Sequence, residues 1–288
     1  MHDDYSSPKR LLAARGLRPR KRLGQNFLLD ANFANRIAGT LPRGAYVLEI
    51  GGGTGILTQA LAKQARLVDV IEIDHGLAAI LRERFANDGE RVRIIESDAL
   101  EVNLEAYLRA NAPPRAICGN LPYSITTPLL ERIVAAADAL DCAVLMVQRE
   151  YARRLAARPG TPDYGSLTVF VAYYCDVQAL FDVGAAGFYP SPAVASSVVK
   201  LVPKVNRARG VEDEALLLWL IRAAFAQRRK TLVNSVAANA PQGSRARIEA
   251  AARAAGLPEA IRGERLTLED IIKLTNALAS QGFRKPTG

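Results

Sequence analysis

The stretch Tyr46-Val-Leu-Glu-Ile50, followed at once by Gly51-Gly-Gly-Thr-Gly55, is the most informative part of this chain. Its first half is short and apolar apart from Glu49, as a strand buried on both faces of a parallel sheet should be. The glycines permit a tight turn and a close approach of the backbone to a ligand. A run of helical length, Ile56–Gln64, comes next. The segment therefore predicts a strand, a ligand-binding turn and a helix.

The same alternation of apolar runs and helical segments continues to about residue 150. A βαβ alternation of this kind predicts a parallel sheet covered by helices. The further strands predicted for this sheet are Leu67–Ile73, Val92–Ile95, Ala116–Cys118 and Cys142–Val147, with Asp176–Val183 and Ser197–Val202 as later candidates. The further helices predicted beside it are Gly76–Phe85 and Pro128–Ala137, the second with Thr127 as its N-cap.

After Val205 the strand-like runs stop and helical patterns take over. Thr267-Leu-Glu-Asp270 has the form of a capping box at the start of the last helix. The predicted helices are Glu212–Ala226, Arg229–Ala238, Arg245–Gly256 and Leu268–Ser280. We therefore expect a basic N-terminal arm over residues 1–24, a sheet domain over 25–206 and a helical domain over 207–288.

Composition places the chain among folded proteins that work in water. Hydrophobic residues make up 49% and charged residues 23% of the 288 residues, which excludes a disordered or collagen-like chain. No run approaches the roughly 18 apolar residues that a membrane helix needs, and the polar start of the chain lacks the apolar core of a signal peptide. We expect a cytoplasmic protein, and a monomer because no interface stripe is evident.

Residues that bind metals or form disulfides are few. Cys118, Cys142 and Cys175 lie far apart in apolar runs, so we expect three reduced thiols in the core. The histidines are His2 and His75, which argues against a zinc site and against a Ser-His-Asp triad. The sequence therefore predicts no metal.

The net charge of +9 is concentrated at the two ends of the chain. Residues 1–24 carry +5 and residues 205–288 carry +6, while residues 25–204 carry −2. A nearly neutral body with basic ends suits a protein that is held on a polyanion by those ends. Basic tails that only aid solubility are the alternative.

Acidic residues follow the second and third predicted strands. Glu72 comes 21 residues after Gly51, the spacing at which a carboxylate reaches a ribose, and Asp98 suits the amino group of an adenine. The glycine pattern is G-x-G-x-G rather than that of dinucleotide-binding proteins, and Glu49 would repel a pyrophosphate. S-adenosylmethionine, which has a ribose and an ammonium but no phosphate, is therefore favoured over NAD, which stays the competitor.

The fourth predicted strand leads into Asn120-Leu-Pro-Tyr123, at the edge where ligands bind in such sheets. These residue types suit methylation of an exocyclic amine on a planar base. The Asn120 side-chain carbonyl and the Leu121 backbone carbonyl can accept hydrogen bonds from the amine and hold it in line with a methyl donor. Pro122 would fix the loop, and Tyr123 would stack on the base. No strong base is required, since the proton can leave after transfer.

Taken together, these motifs resemble the bacterial small-subunit ribosomal RNA adenine dimethyltransferases, the family whose loss gives kasugamycin resistance. The resemblance extends from residue 22 to about residue 272. It rests also on Arg22-Leu-Gly-Gln-Asn-Phe-Leu28, Phe188-Tyr-Pro-Ser-Pro192, Val194-Ala-Ser196, Val198–Leu201 and Phe225-Ala-Gln-Arg-Arg-Lys-Thr-Leu-Val-Asn234. Gly52 departs from the pattern, because many relatives have proline there, and we expect it to loosen the loop slightly.

The resemblance implies an α/β fold, namely a Rossmann-like class I S-adenosylmethionine-dependent methyltransferase domain with a small C-terminal all-helical domain. It implies dimethylation of N6 on two adjacent adenosines near the 3′ end of 16S rRNA. The RNA would belong to an assembling small ribosomal subunit, and S-adenosylhomocysteine would be the product.

The resemblance also assigns roles to residues. Phe188 would cover the second face of a base extruded from its stack, opposite Tyr123. The RNA contacts would be Arg22, Arg228, Arg229 and Lys230. The cofactor contacts would be Asn26, Leu28, Gly51, Gly53, Glu72, Asp98 and Asn120.

Three other functions remain open. A large-subunit rRNA methyltransferase of the macrolide-resistance type shares the glycine loop and the Asn-x-Pro-Tyr motif, but the stretch from Phe225 to Asn234 favours the small-subunit enzyme. Adenine DNA methyltransferases more often carry a second proline in place of Leu121. A non-catalytic assembly or transcription factor would not need an intact glycine loop and Asn120–Tyr123.

Overall fold

The computed structural model describes residues 7–205, 207 and 210–286. Contacts between Cα atoms group the chain into two units. The first consists of Met1–Ala152 and Val177–Pro203, and the second of Arg153–Asp176 and Lys204–Gly288. The sequence alone assigns Arg153–Asp176 to the sheet domain, whereas the structure groups it with the C-terminal helices. The division by role into an arm, a methyltransferase domain and an RNA-binding domain stays a prediction.

The strands in the described part of the chain form a seven-stranded sheet and a separate two-stranded one. In chain order they are β1 (Phe27–Leu28), β2 (Tyr46–Ile50), β3 (Leu67–Glu72), β4 (Val92–Glu96), β5 (Arg115–Asn120), β6 (Cys142–Gln148), β7 (Cys175–Val183), β8 (Phe188–Tyr189) and β9 (Ser196–Pro203). The two-stranded sheet pairs β1 with β8 in antiparallel orientation. All of the strands predicted from the sequence are confirmed, and β1 and β8 are additions.

The order of strands in the larger sheet is β4-β3-β2-β5-β6-β9-β7. The pairs from β4 to β6 are parallel, and β9 runs antiparallel to β6. The chain moves outward from β2 to β3 and β4, then returns past β2 to form β5. This reversal leaves a crevice between the carboxyl ends of β2 and β5, where open α/β sheets bind their ligands.

Helices of the first unit cover the sheet because one face of each is apolar. In α3, for example, Leu57, Ala60 and Leu61 are buried and share a core cluster with Val47 and Val70 of the sheet. Cys118, Cys142 and Cys175 are buried free thiols, as predicted. The helices up to residue 155 are α1 (Pro8–Ala14), α2 (Ala31–Ala38), α3 (Ile56–Ala62), α4 (His75–Arg84), α5 (Leu104–Arg109), α6 (Thr126–Ala135) and α7 (Arg149–Leu155).

The second unit is helical over its described residues. Its last helix buries Ile271, Leu274 and Leu278 along one face, the spacing expected of an amphipathic helix. The predicted capping box is confirmed, since Thr267 and Asp270 each bond the other's backbone N–H. The helices are α8 (Ser166–Tyr174), α9 (Glu214–Phe225), α10 (Leu232–Ala237), α11 (Arg245–Ala254) and α12 (Leu268–Ser280).

Three predicted helix starts are wrong by two residues or more, and one of them is that of α9, which begins at Glu214 rather than at Glu212 because Asp213 caps it. Helix α6 begins at Thr126 rather than after Thr127, because a helical turn over Tyr123–Ile125 leads directly into it. Helix α10 begins at Leu232 rather than at Arg229, because Thr231 caps it through the Asn234 N–H. Arg229 and Lys230 consequently lie in a turn and not in the predicted helix.

Candidate active site

The carboxyl ends of β2, β3, β4 and β5 border one cavity of the first unit. Its walls include the glycine loop after β2, Ser97–Ala99 after β4, and the N-terminal segment from Arg22 to Leu28. The fold therefore brings together residues that are up to 124 positions apart, between Arg22 and Met146. Every residue predicted to contact the cofactor lines this cavity: Asn26, Leu28, Gly51, Gly53, Glu72, Asp98 and Asn120.

The glycine loop takes backbone conformations that other residues seldom adopt. The φ angles of Gly51 and Gly53 are +77° and +56°, in the left-handed region that glycine tolerates best. A Cβ atom on Gly53 would lie 3.1 Å from Cδ1 of Phe27, so the loop also passes close to β1. Both features leave the loop backbone open toward the cavity.

Gly52 tightens the loop, which corrects the expectation from the sequence. A Cβ atom there would clash with Cγ1 of Val70 and lie 2.8 Å from Cδ1 of Leu81. Both neighbours belong to the core cluster of the sheet. Gly52 is therefore required by packing between the loop, β3 and α4, and the loop is held rather than loosened.

Glu72 is fixed by the loop that it faces. One carboxylate oxygen accepts a hydrogen bond of 2.9 Å from the Gly53 N–H, and the other accepts one of 2.9 Å from the Asp74 N–H. Burial raises the pKa of Glu72, and the two backbone donors oppose that rise. The carboxylate is therefore a pre-oriented acceptor at the cavity, as a ribose contact requires.

Asp74 connects the end of β3 with the N-terminal segment. Its side chain caps α4 through the Gly76 N–H at 3.0 Å. It also accepts a hydrogen bond of 3.2 Å from Nε2 of Gln25 and pairs with Arg20 at 3.2 Å. This buried carboxylate thus holds the segment that forms one wall of the cavity.

Asp98 lines the same cavity two residues after the end of β4. Its Oδ1 accepts a hydrogen bond of 2.8 Å from the Leu100 N–H, so the carboxylate belongs to a turn after β4. Oδ2 of Asp98 has free lone pairs, as the second oxygen of a carboxylate does. It is therefore suited to the adenine contact predicted from the sequence.

Glu49 is completely buried beneath the glycine loop. Neither carboxylate oxygen has a hydrogen-bond partner within the described residues. Desolvation raises the pKa of Glu49 to about 8, against an opposing contribution from Thr58. With this raised pKa the buried carboxyl is mostly protonated at neutral pH, so the expectation that Glu49 repels a pyrophosphate through its charge is wrong.

The side chain of Asn120 is oriented by Asn26. Its Nδ2 donates a hydrogen bond of 2.8 Å to the backbone carbonyl of Asn26. The carbonyl can only accept, so this bond determines which end of the amide is nitrogen. Oδ1 is consequently left to accept a hydrogen bond from a substrate amine.

The residues after Asn120 are held by backbone contacts. The Leu121 N–H donates to the Met146 carbonyl at 3.0 Å, and Oγ1 of Thr126 donates to the Pro122 carbonyl at 3.0 Å. The half-buried Tyr123 hydroxyl lies 2.8 Å from Oγ of Ser196. Pro122 lines the cavity, whereas Leu121 and Tyr123 do not, within the described part of the chain.

Phe188, like Leu121 and Tyr123, is a predicted catalytic residue that does not line the cavity. It pairs with Leu28 across the β1–β8 ladder, and its side chain is 2% exposed in the core. The alternation of side chains along β8 directs its neighbour Tyr189 to the opposite face. A stacking role for Phe188 stays a prediction, and it requires the ring to leave the core.

The predicted RNA contacts occur in both units. In the first unit, Arg22 is exposed at the wall of the cavity. In the second unit, Arg228, Arg229 and Lys230 are exposed in the turn before α10. Nη2 of Arg228 donates to the Pro162 carbonyl at 2.7 Å, so this residue also has a structural role.

Phe27 and Ile73 are among the lining residues that the sequence does not assign to the site. Phe27 is buried against the glycine loop. In the sequence it stands out only as part of the Arg22–Leu28 motif. Ile73 follows Glu72 and is 48% exposed while lining the cavity. The sequence offers a signal for Ile73, because an apolar residue between two acidic residues at the end of a strand is not expected in the core and can instead contact a ligand.

Among the residues that the structure describes, no three His, Cys, Asp or Glu side chains come together as a metal site. Across the same residues, the helices are too short or too polar to cross a membrane.

Comparison with known proteins identifies a family. Residues 16–279 match the family described as ribosomal RNA adenine dimethylase. The chain is 39% identical to the ribosomal RNA small subunit methyltransferase A of Geobacillus thermodenitrificans, covering 96% of this chain and 98% of that protein. It is 40% identical to the protein of the same name from Moorella thermoacetica, covering 96% and 99%.

Solved structures give the same picture. A dimethyladenosine transferase from Plasmodium falciparum superposes with a TM-score of 0.76 at 26% identity, covering 89% of this chain and 98% of that chain. The 23S rRNA methyltransferase ErmE superposes with a TM-score of 0.65 at 29% identity, covering 88% and 100%. The predicted class I methyltransferase fold is thereby confirmed. The match of sequence, fold and cavity shows that this chain belongs to the ribosomal RNA adenine dimethylase family.

Proposed function

We propose that this protein dimethylates N6 of two adjacent adenosines near the 3′ end of 16S rRNA, with S-adenosylmethionine as methyl donor. The observation that carries the proposal is the hydrogen bond from Asn120 to the Asn26 carbonyl at the cavity. It presents an amide oxygen to the place where a substrate amine would enter. Family membership supplies the class of reaction and substrate.

The residues of the cavity fit S-adenosylmethionine better than a dinucleotide. Glu72 and Asp98 are carboxylates that line it, and Arg22 is its lining cation among the described residues. Such a site suits a cofactor with an ammonium and a sulfonium, whereas the phosphates of NAD would be repelled. Glu72 would hold the ribose, Asp98 the adenine, and the backbone of Gly51 and Gly53 the amino-acid end.

When bound, S-adenosylmethionine supplies an electrophilic methyl group to N6 and leaves as S-adenosylhomocysteine. Oδ1 of Asn120 accepts a hydrogen bond from the amine and holds the nitrogen in one orientation. The Leu121 and Pro122 backbone is fixed by its own hydrogen bonds, so this acceptor does not need to reorganise. Developing positive charge on the amine strengthens its hydrogen bond to Asn120.

Proton removal needs no dedicated side chain. Methyl transfer makes the nitrogen cationic, and the proton is then acidic enough to pass to water. Glu49 is sealed in the core with no exposed surface and does not line the cavity, so it is not the acceptor. Asn120, which cannot act as a base, accordingly serves as a positioning acceptor for the amine.

The protein would bind the RNA mainly through contacts with its phosphates. Net charges of +5 over residues 1–24 and +6 over residues 205–288 support binding to a polyanion. The target adenosines would be unpaired or extruded, because a base stacked and paired inside a duplex cannot reach a methyl donor held in a cavity. We place this activity in the cytoplasm, on an assembling small subunit, with the enzyme as a monomer.

The test is methylation of three substrates in parallel: unmethylated small subunits, large subunits and DNA, each with labelled S-adenosylmethionine. The proposal predicts label in the small subunit alone, mapping to N6 of two neighbouring adenosines of 16S rRNA. Label in the large subunit would indicate the reaction named for ErmE, which this chain also resembles in structure. Absence of label in all three would overturn the proposed activity.

A further inference from the structure

A second depression lies in the first unit, on the other side of the segment that walls the cofactor cavity. Its volume is about 860 Å³, within the usual range of ligand pockets. Helix α1, the loop from Gly16 to Lys21 and the pair Tyr189-Pro190 surround it. The two cavities share Gly24, Gln25 and Asn26 as a common wall.

The depression is basic, and no described residue neutralises its cations. Lys9, Arg18 and Lys21 are exposed and line it. Within the described residues none of the three has an ion pair, and no carboxylate lines the depression. The same stretch holds Arg15 against Glu83 at 2.8 Å and Arg20 against Asp74 at 3.2 Å. Arg15 and Arg20 are thus neutralised by carboxylates. The other three cations line the depression without an ion pair among the described residues.

An aromatic ring and an apolar floor complete the depression. Tyr189 is half-buried and packs on the cluster that contains Leu11, Leu12 and Phe27. Its backbone is fixed by pairing with Phe27. Leu17 and Pro190 add further apolar surface. A rigid aromatic ring beside several cations is the combination that binds a nucleotide, through stacking of the base and contact with the phosphate.

The shared wall relates this depression to the reaction. The carbonyl of Asn26 orients the Asn120 amide, and Asn26 also borders the depression. An RNA chain whose target adenosine has its amine at Asn120 therefore has the adjacent nucleotide within reach of the depression. We propose that the depression binds the RNA nucleotide adjacent to the target adenosine, with its base on Tyr189 and its phosphates at Lys9, Arg18 and Lys21. The proposal rests on the proposed function and specifies how that substrate is held.

The first test compares two triple variants that lose the same charge. One carries Lys9→Gln, Arg18→Gln and Lys21→Gln; the control carries Arg43→Gln, Lys63→Gln and Arg109→Gln, which are exposed elsewhere in the first unit. Affinity for unmethylated small subunits is measured across a salt series. We expect the first variant to bind about tenfold or more weakly than the control, with a salt slope lower by about 2 to 3. Equal affinities and slopes would overturn the proposal.

The second test concerns the ring. Tyr189→Leu is expected to weaken RNA binding about fivefold or more, as loss of one stacked base does, while Tyr189→Phe retains the wild-type affinity. Cofactor affinity, measured by calorimetry, should stay within about twofold in both variants. If Tyr189→Leu binds RNA as the wild type does, base stacking at this position is refuted.

A third arm separates RNA from a free nucleotide that has the same chemistry. Adenosine monophosphate is titrated into the wild type and into the first triple variant. Binding that is weaker than millimolar supports a subsite that works only as part of an RNA strand. Tight binding that is lost in the triple variant, with RNA affinity unchanged, would assign the depression to a free nucleotide and overturn the proposal. Wild-type methylation of small subunits, recorded alongside, shows whether the proposed function itself holds.

Discussion

The Asn120 side chain and the Asn26 backbone carbonyl are joined by a hydrogen bond of 2.8 Å, across 94 residues of sequence. This contact links the end of β5 to the N-terminal segment beside it. It converts a freely rotating amide into an acceptor with a fixed direction. The orientation of the amine in the reaction depends on this relationship.

Replacing Asn120 tests that relationship directly. Asn120→Ala removes the acceptor, and Asn120→Asp places a carboxylate against the Asn26 carbonyl, where neither oxygen can donate. Both variants are expected to lose about 10² to 10³ in methylation rate, the usual cost of removing one oriented polar group. Calorimetry should show S-adenosylmethionine affinity within about tenfold of wild type. The matched change Asn35→Ala on α2 should leave both unaffected, and an active Asn120→Ala enzyme would refute the assigned role.

Glu72 is expected to control cofactor affinity. Glu72→Ala removes the acceptor that faces the cavity and leaves the Gly53 and Asp74 N–H groups without their partner. The loss of a charged hydrogen bond should weaken S-adenosylmethionine binding by about 1 to 3 kcal/mol. Isothermal titration measures this change, with the exposed Glu83→Ala variant as control. A dissociation constant equal to that of the wild type would show that Glu72 does not contact the cofactor.

Glu49 should make stability depend on pH. Its pKa in the folded protein is about 8, above the ordinary value of 4.5, so between these values the folded chain holds a proton that the unfolded chain has released. Stability should therefore fall as pH rises through this window, by up to about 1.4 kcal/mol for each pH unit.

Glu49→Gln removes this titration while conserving the size of the side chain. The free energy of unfolding of the variant should decline less between pH 5 and pH 8 than that of the wild type, and urea unfolding at several pH values measures the difference. The exposed Glu105→Gln change should preserve the wild-type slope. Parallel curves for wild type and Glu49→Gln would contradict the assignment.

Gly52 should tolerate no side chain. In Gly52→Ala the added methyl group clashes with Val70 and crowds Leu81, and overpacking of this kind costs about 1 to 3 kcal/mol. Gly184→Ala, where a Cβ atom meets nothing within 4 Å, should change the unfolding free energy by less than about 0.5 kcal/mol. Denaturant unfolding of the two variants gives the comparison, and equal stabilities would mean that the loop can yield.

The sequence alone predicts the sheet well because its signals are local. The strand Tyr46–Ile50 is apolar throughout apart from Glu49 and ends at glycines, and the structure has those bounds. The cofactor residues follow from the rule that parallel strands end at one edge. Helix α8 was missed because Ser166–Tyr174 is apolar on most sides and shows no helical periodicity.

Other features depend on contacts that sequence spacing does not encode. The burial of Phe188 arises from pairing of β8 with β1, which lies 161 residues earlier in the chain. The tight packing at Gly52 depends on Val70 and Leu81. The orientation of the Asn120 side chain depends on a hydrogen bond to the backbone carbonyl of Asn26. None of these has a signature in the residues concerned, so the role of Phe188 and the freedom of the loop could not be judged beforehand.

The central claim is that the cavity between β2 and β5 binds the methyl donor facing Asn120. A crystal structure with bound S-adenosylhomocysteine measures this most directly. The account predicts the ribose hydroxyls at Glu72, the adenine near Asp98, and the sulfur directed toward the Asn120 side chain. Electron density for the ligand elsewhere, with this cavity closed to it, would contradict the account.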